Sequence, residues 1–195
     1  MRERALDLNE EFKGKDALQV LTWFLKEYKG RIALSSSMGA EDQVLTDMVM
    51  RIDPEVKIFT LDTGRLFYET YELIERTSLR YKKNIEIYFP SPAEVERMVT
   101  EKGINLFYQS IENRKECCRV RKIEPLKRAF KGLEVWICGL RRNQSATRTE
   151  NQMVEWDEAN GLIKLNPLID WSEQDVWEYI KPKSVNRNKI SNDGH

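Results

Sequence analysis

Short apolar runs alternating with amphipathic stretches organise most of the chain. Over residues 1–29 the pattern is helical, and Trp23, Phe24 and Tyr28 fall at helical spacing as a core or docking face. From residue 31 the period changes. Arg31–Ser36 reads as a strand, Ala40–Ile52 as a helix, Val56–Leu61 as a strand and Arg65–Tyr81 as a helix. Ile85–Phe89 then reads as a strand, Pro92–Lys102 and Cys117–Phe130 as helices, and Val135–Cys138 as another buried strand. Strands separated by helices require right-handed crossovers, which predicts an α/β fold with a doubly wound, mostly parallel sheet. Met153–Trp156 and Leu162–Leu165 flank Asn160-Gly161, a strong hairpin signal. Ser172 to Asp175 has capping-box spacing and opens a last helix carrying Val176, Trp177 and Ile180.

The 195 residues suit one domain, with residues 1–30 as a helical segment and 31–195 as the main unit. Equal numbers of basic and acidic side chains, 32 each, give no overall basic field, so generic nucleic-acid binding is not expected. No apolar run approaches the ~20 residues needed to cross a bilayer, and the charged start lacks a signal-peptide core. Three cysteines, Cys117, Cys118 and Cys138, are too few for a disulfide framework. They fit a reducing, cytoplasmic setting and metal or redox chemistry.

In open α/β sheets ligands gather beyond the carboxyl ends of the strands, and three such ends carry unusual polar sequence. Ser35-Ser36-Ser37-Met38-Gly39, before Ala40-Glu41-Asp42, combines hydroxyls, a permissive glycine and amides at a helix start, as an anion cradle would. An ordinary turn explains it equally well, with Glu41 and Asp42 favouring the helix dipole. Neither the G-x-G-x-x-G nor the Walker A pattern is present. Leu61-Asp62-Thr63-Gly64-Arg65 places a carboxylate where it could accept from ribose or adenine donors, with a cation beside it; an Asx-type turn is the competing reading. Gly139-Leu140-Arg141-Arg142, followed by Arg148, could clamp an oxyanion through bidentate hydrogen bonds, or form a solvated or RNA-contacting loop.

Cys117 and Cys118 are the sharpest feature. Adjacent residues on a helix cannot both face one core, so packing accounts for only one of them. Lys115, Arg119, Arg121 and Lys122 flank them and would favour thiolates or offset an anionic cluster. Cys138 reads as an inert core cysteine. His195 is the single histidine, which excludes ordinary histidine-based triads and zinc sites.

Taken in order, these segments resemble the sulfonucleotide reductases, specifically the assimilatory adenylyl-sulfate (APS) reductases. Ser35–Asp42 resembles their modified pyrophosphate loop, Leu61–Phe67 their nucleotide-binding strand end, and Cys117–Lys122 the segment supplying half the ligands of a [4Fe-4S] cluster. Trp136–Ser145 resembles the arginine-rich substrate loop, with Cys138 where threonine is expected, and Asn166–Ser172 with Asp175-Val-Trp177 the closing segment. The resemblance implies an adenine-nucleotide-hydrolase-like fold and thiol-dependent conversion of APS to sulfite and AMP through an enzyme S-sulfocysteine. It implies thioredoxin or a similar dithiol as reductant. It puts Lys122, Arg141, Arg142 and Arg148 around phosphate and sulfate. Ser35, Ser36, Ser37 and Gly39 would cradle the anion, Leu61, Asp62, Thr63, Gly64 and Arg65 would hold the nucleoside with Gly139 nearby, and Cys117 and Cys118 would bind metal.

The family's second cysteine pair, C-x-x-C, and its E-C-G-L-H nucleophile tail do not occur in these 195 residues. Ser191 and Asn192 replace the histidine and aspartate expected ahead of that pair. The expectation is therefore a C-terminally truncated member or a remnant that binds nucleotide weakly without reductase turnover. Other readings are a reductase of the 3′-phosphorylated substrate (PAPS), an ATP-using adenylating enzyme of the pyrophosphate-loop class, and a nucleotide- or iron–sulfur-binding scaffold forming homo-oligomers through Cys117 and Cys118.

Overall fold

The computed structural model describes residues 1–144 and 151–183. Helices α1 (Arg2–Glu11) and α2 (Ala17–Glu27) precede strand β1 (Ile32–Ser35). Asp16 fixes the start of α2 by a capping box: its carboxylate accepts from the amides of Leu18 at 2.8 Å and Gln19 at 3.0 Å, while Gln19 accepts from the Asp16 amide. Then follow α3 (Ala40–Ile52), β2 (Lys57–Leu61), α4 (Tyr68–Tyr81), β3 (Glu86–Tyr88) and α5 (Pro92–Lys102). Helix α6 (Ile111–Cys118) runs through a π-helical turn at Arg119–Ile123 directly into α7 (Glu124–Ala129). Strand β4 (Val135–Ile137), the hairpin β5 (Val154–Asp157) and β6 (Leu162–Leu165), and α8 (Glu173–Lys183) complete the described order.

The six strands lie in the order β3-β2-β1-β4-β6-β5, all parallel except the edge strand β5. This is the expected doubly wound α/β sheet. Side chains alternate across it with the strand period of two. Ile32, Leu34, Ile58 and Ile137 enter the larger core with α2, α3 and α8, whereas Ala33 and Phe59 enter the opposite core against Ala129 and Phe130 of the α7 end. The Asn9 side chain accepts from the Val154 amide at 3.2 Å, so α1 covers part of the β5 edge.

Strand ends shift by a residue or so, and two helix starts differ from the sequence reading by more. Helix α4 begins at Tyr68 rather than Arg65, because Gly64 takes a left-handed φ of 71° and Phe67 is still extended at its N-cap. The helix read from Cys117 begins at Ile111, where the Ser110 hydroxyl accepts from the Asn113 amide at 3.1 Å. Ser172 and Asp175 form the anticipated capping box on α8, with reciprocal bonds of 2.7 and 3.1 Å.

From β1 the chain winds outward through β2 to β3, then returns to place β4 on the other side of β1. That reversal is the topological switch point. Crossover connections on either side leave a crevice between the carboxyl ends of β1 and β4.

Candidate active site at the carboxyl rim of the sheet

Ser37, Asp62 and Arg142 all follow the carboxyl ends of parallel strands that are direct neighbours, so one rim holds the three loops. At the switch point a cavity of about 510 Å³ is lined by Ser35, Ser37, Glu41, Asp42, Cys138, Gly139, Leu140 and Gln144. Ser36 lies just beneath, buried, its hydroxyl accepting from the Met38 amide at 3.2 Å. Met38 is a buried non-glycine residue with φ of 64°, a conformation that costs energy and survives because Ser36 and Gln43 hold it.

The cradle's polar groups are already engaged within the loop. Asp42 Oδ2 accepts from the Ser37 amide and from the Ser37 hydroxyl, each at 2.6 Å. Burial pushes the Asp42 carboxyl above the ordinary carboxylate range, and the Ser37 bonds only partly oppose it. Gly39 supplies the extended N-cap of α3. Gly139 is pressed against the same helix start: a Cβ there would overlap Asp42 Oδ1 and stand 3.2 Å from the Asp42 amide nitrogen.

The arginines after β4 are paired. Arg141 Nε donates to Glu41 Oε1 at 2.6 Å, and Gln144 Nε2 reaches the same oxygen at 2.9 Å. Arg142 donates to Asp170 Oδ1 from Nη2 at 2.9 Å and lines a separate cavity beside Lys13 and Asn9. In this structure, then, neither guanidinium forms the wall of the switch-point cavity. Arg148 lies outside the described residues.

Next along the rim, the end of β2 opens on a second cavity, of about 410 Å³, lined by Thr63, Arg65, Phe107, Arg114, Cys117, Cys118, Arg121 and Lys122. Four cations and two thiols face it, and among the described residues no carboxylate lines it. Asp62, beyond Leu61, is buried and committed: Oδ1 accepts from the Gly64 amide at 2.7 Å and Oδ2 from the Tyr71 hydroxyl at 2.7 Å. The Asx-type turn read from sequence is therefore present, and the bond to Asp62 raises the Tyr71 hydroxyl above its ordinary value. Arg65 donates to the Ile104 carbonyl and to Asn105 Oδ1, both at 3.0 Å, and lies over the Phe107 ring at 4.8 Å. Cys117 is half-buried beside Met98, Leu106 and Val120, and Cys118 is exposed. Packing thus explains one thiol of the pair and not the other.

Sequence reasoning passed over Arg121 as a site residue. It is buried, and its Nη1 donates to the Thr63 carbonyl at 2.6 Å. The signal available was its place three residues after Cys118. Cys138 does reach the cavity wall, but its Sγ donates to Asn166 Oδ1 at 2.9 Å and burial pushes its thiol up to about 12. It is held as a neutral thiol.

A doubly wound sheet whose loops converge at the switch point defines an α/β protein with its candidate ligand site at the carboxyl rim. The phosphoadenosine phosphosulfate reductase domain matches residues 31–195, and the chain belongs to that family. It is 47% identical over 179 residues to the adenosine 5′-phosphosulfate reductase of Allochromatium vinosum, covering 92% of this chain and 70% of that protein. With the enzyme of the same name from Burkholderia cepacia it shares 42% identity over 192 residues, covering 98% and 77%. Among solved structures, a phosphoadenylyl-sulfate reductase from Candida auris, in a phosphate complex, superposes with a TM-score of 0.83 at 26% identity, covering 98% of this chain and 91% of that one. An NH3-dependent NAD synthetase from Campylobacter jejuni shares the fold, with a TM-score of 0.62 at 10% identity over 98% of this chain and 78% of its own. Among the described residues no helix is long and apolar enough to cross a membrane.

Proposed function

We propose that the protein takes part in sulfate assimilation by reducing adenylyl sulfate, with thiols as the source of electrons. A thiolate attacks the sulfuryl sulfur, an S–S bond forms, and the bond from sulfur to the bridging phosphate oxygen breaks, its electron pair leaving with AMP. A second thiolate, from thioredoxin or a similar dithiol, then attacks the cysteine sulfur of the S-sulfonate. Sulfite departs, two thiols are oxidised to a disulfide and sulfur is reduced by two electrons.

The observation that carries this reading is the second cavity, where Arg65, Arg114, Arg121 and Lys122 stand together with no carboxylate among the described lining residues. Attack on a highly anionic sulfuryl group is opposed by charge repulsion, and fixed cations are what relieve it. Lys122 is the electrostatic catalyst of this set. The loops Ser35–Gly39 and Leu61–Gly64 bind the nucleotide, and Arg141 and Arg142 join them once their carboxylate partners give way.

None of the three cysteines suits the attacking role. Cys138 is protonated and bonded to Asn166, while Cys117 and Cys118 are read as metal ligands rather than as the nucleophile. A [4Fe-4S] cluster, anionic when ligated by thiolates, matches Cys117 and Cys118 in donor type and charge. The pair provides only half the ligand set, and among the described residues no group of three metal-binding side chains occurs.

Calorimetric titration with APS, AMP, PAPS and ATP with magnesium tests the proposal. APS should bind tightest, with AMP next, and Lys122→Ala should weaken APS by about tenfold, the loss of one charge-assisted contact. Preference for PAPS, or magnesium-dependent ATP binding tighter than APS, would overturn it.

A further inference from the structure

The side chain of Arg121 joins two parts of the rim that the proposed reaction needs to act together. It leaves the π-helical turn that follows Cys118, and it is 93% removed from solvent by its 7% exposure. Its Nη1 ends 2.6 Å from the carbonyl of Thr63, in the loop after β2. Gly64 makes room for it, since a Cβ on that residue would stand 3.1 Å from Arg121 Nη1. Arg121 Nε is buried without a hydrogen-bond partner among the described residues. A buried, charged donor left unpaired is an unfavourable arrangement, and in native proteins such a group marks strain, a functional role or a bound water or ion.

The π-helical turn has its own part in this. Such turns insert one residue into a helix and re-aim the side chains that follow, and they are frequent at functional sites. Here the turn carries both Arg121 and Lys122 to the cavity that Cys117 and Cys118 line. One rigid element therefore bears the thiols, while the tip of Arg121 rests on the backbone of the nucleotide loop.

We propose that Arg121 is a positioning residue that couples the thiol-bearing helix to the nucleotide loop, so that nucleotide held at Leu61–Gly64 tightens the helix at Cys117–Lys122. The inference rests on the reading of Leu61–Gly64 as nucleotide-binding. Coupling of this kind is reciprocal, so a group bound at the thiols tightens nucleotide binding by the same factor. Lys122, the next residue, acts directly on the anion; Arg121 acts through Thr63.

Amide hydrogen exchange, read by peptide with and without saturating AMP on the full 195-residue chain, tests this. AMP should slow exchange at least threefold in peptides covering 61–65 and 117–122 of the native protein. In Arg121→Gln the first protection should persist and the second should disappear, which loss of stability alone would not produce. Persistence of both in Arg121→Gln, or native protection confined to 61–65, would overturn the coupling while leaving the nucleotide site intact. No protection of either segment would overturn the nucleotide reading and the coupling with it. If circular dichroism shows Arg121→Gln unfolded, Arg121→Lys decides: it keeps the charge but not the planar fork, so at most half the protection at 117–122 should remain, and full protection would overturn the proposal.

Discussion

Gly139 touches the start of α3 so closely that a Cβ on it would collide with Asp42 Oδ1. The strand end after β4 and the helix after β1 therefore meet backbone to side chain, with no space for a methyl group. Gly139→Ala should force the two apart. Overpacking of this kind costs about 1–3 kcal/mol, and the switch-point cavity should lose AMP affinity along with stability. Urea denaturation and AMP titration on the same variant check both effects.

Asp42 carries a pH signature of opposite sign to most native carboxylates. Its folded pKa lies above its unfolded value, because burial opposes the charge more than the Ser37 bonds favour it. The folded state therefore binds more protons between those two values. Its ionisation lowers stability as pH rises through that window, and the penalty is fully present above it. An asparagine keeps an acceptor for Ser37 without the charge. The stability of Asp42→Asn relative to the native protein should rise with pH from about 4 upward, near the unperturbed carboxylate value, and then level off. Urea midpoints across a pH series would show a flat difference if Asp42 were unperturbed.

Asp47, on the buried side of α3, ties down two other helices. It accepts from Tyr81 at the end of α4 at 2.9 Å, from Tyr179 on α8 at 2.8 Å, and from Arg51 Nε at 2.9 Å. Burial and the Asp47 contact raise both tyrosine hydroxyls well above their ordinary value. Tyr179→Phe removes one bond to a charged group and should cost about 1.5–3 kcal/mol. Asp47→Ala leaves both hydroxyls and Arg51 without this acceptor and should cost more, about 3–5 kcal/mol. Denaturation monitored by circular dichroism gives the order; equal losses would mean that Asp47 acts through Tyr179 alone and that its bonds to Tyr81 and Arg51 add nothing.

The framework of this fold was legible because its signals are local. Ala40–Ile52 and Pro92–Lys102 have the boundaries that pattern and caps predict, and Asn160-Gly161 turns the β5–β6 hairpin. Helix α6 was hidden because none of its residues is buried, so no apolar stripe marks it. The convergence of the loops after β1, β2 and β4 was legible because parallel strands joined by crossovers put their carboxyl ends on one rim. The pairing of the arginines was not. Arg141 meets Glu41 from 100 residues away and Arg142 meets Asp170 from 28, distances at which sequence spacing carries no information. Arg121 was hidden for the same reason, since its partner is the backbone carbonyl of Thr63, a group every residue has.

Cys138 distinguishes a thiol that lines a cavity from one that reacts there. Its Sγ is held by Asn166, itself fully buried and anchored by bonds to the Gln152 carbonyl at 2.7 Å and Glu155 at 2.9 Å. With its pKa pushed up to about 12, only about one Cys138 in ten thousand is a thiolate at pH 8. Cys118 is exposed and stands among cations. Iodoacetamide at pH 8 should label Cys118 at least a hundredfold faster than Cys138, by peptide mass spectrometry. Cys138 should begin to label appreciably only near its own pKa or when the protein unfolds. A threonine hydroxyl can donate to Asn166 in the same way, so Cys138→Thr should change stability by less than about 1 kcal/mol. Rapid labelling of Cys138 in the folded protein at pH 8 would show instead that the Asn166 bond opens readily and that the switch-point cavity presents a reactive thiol.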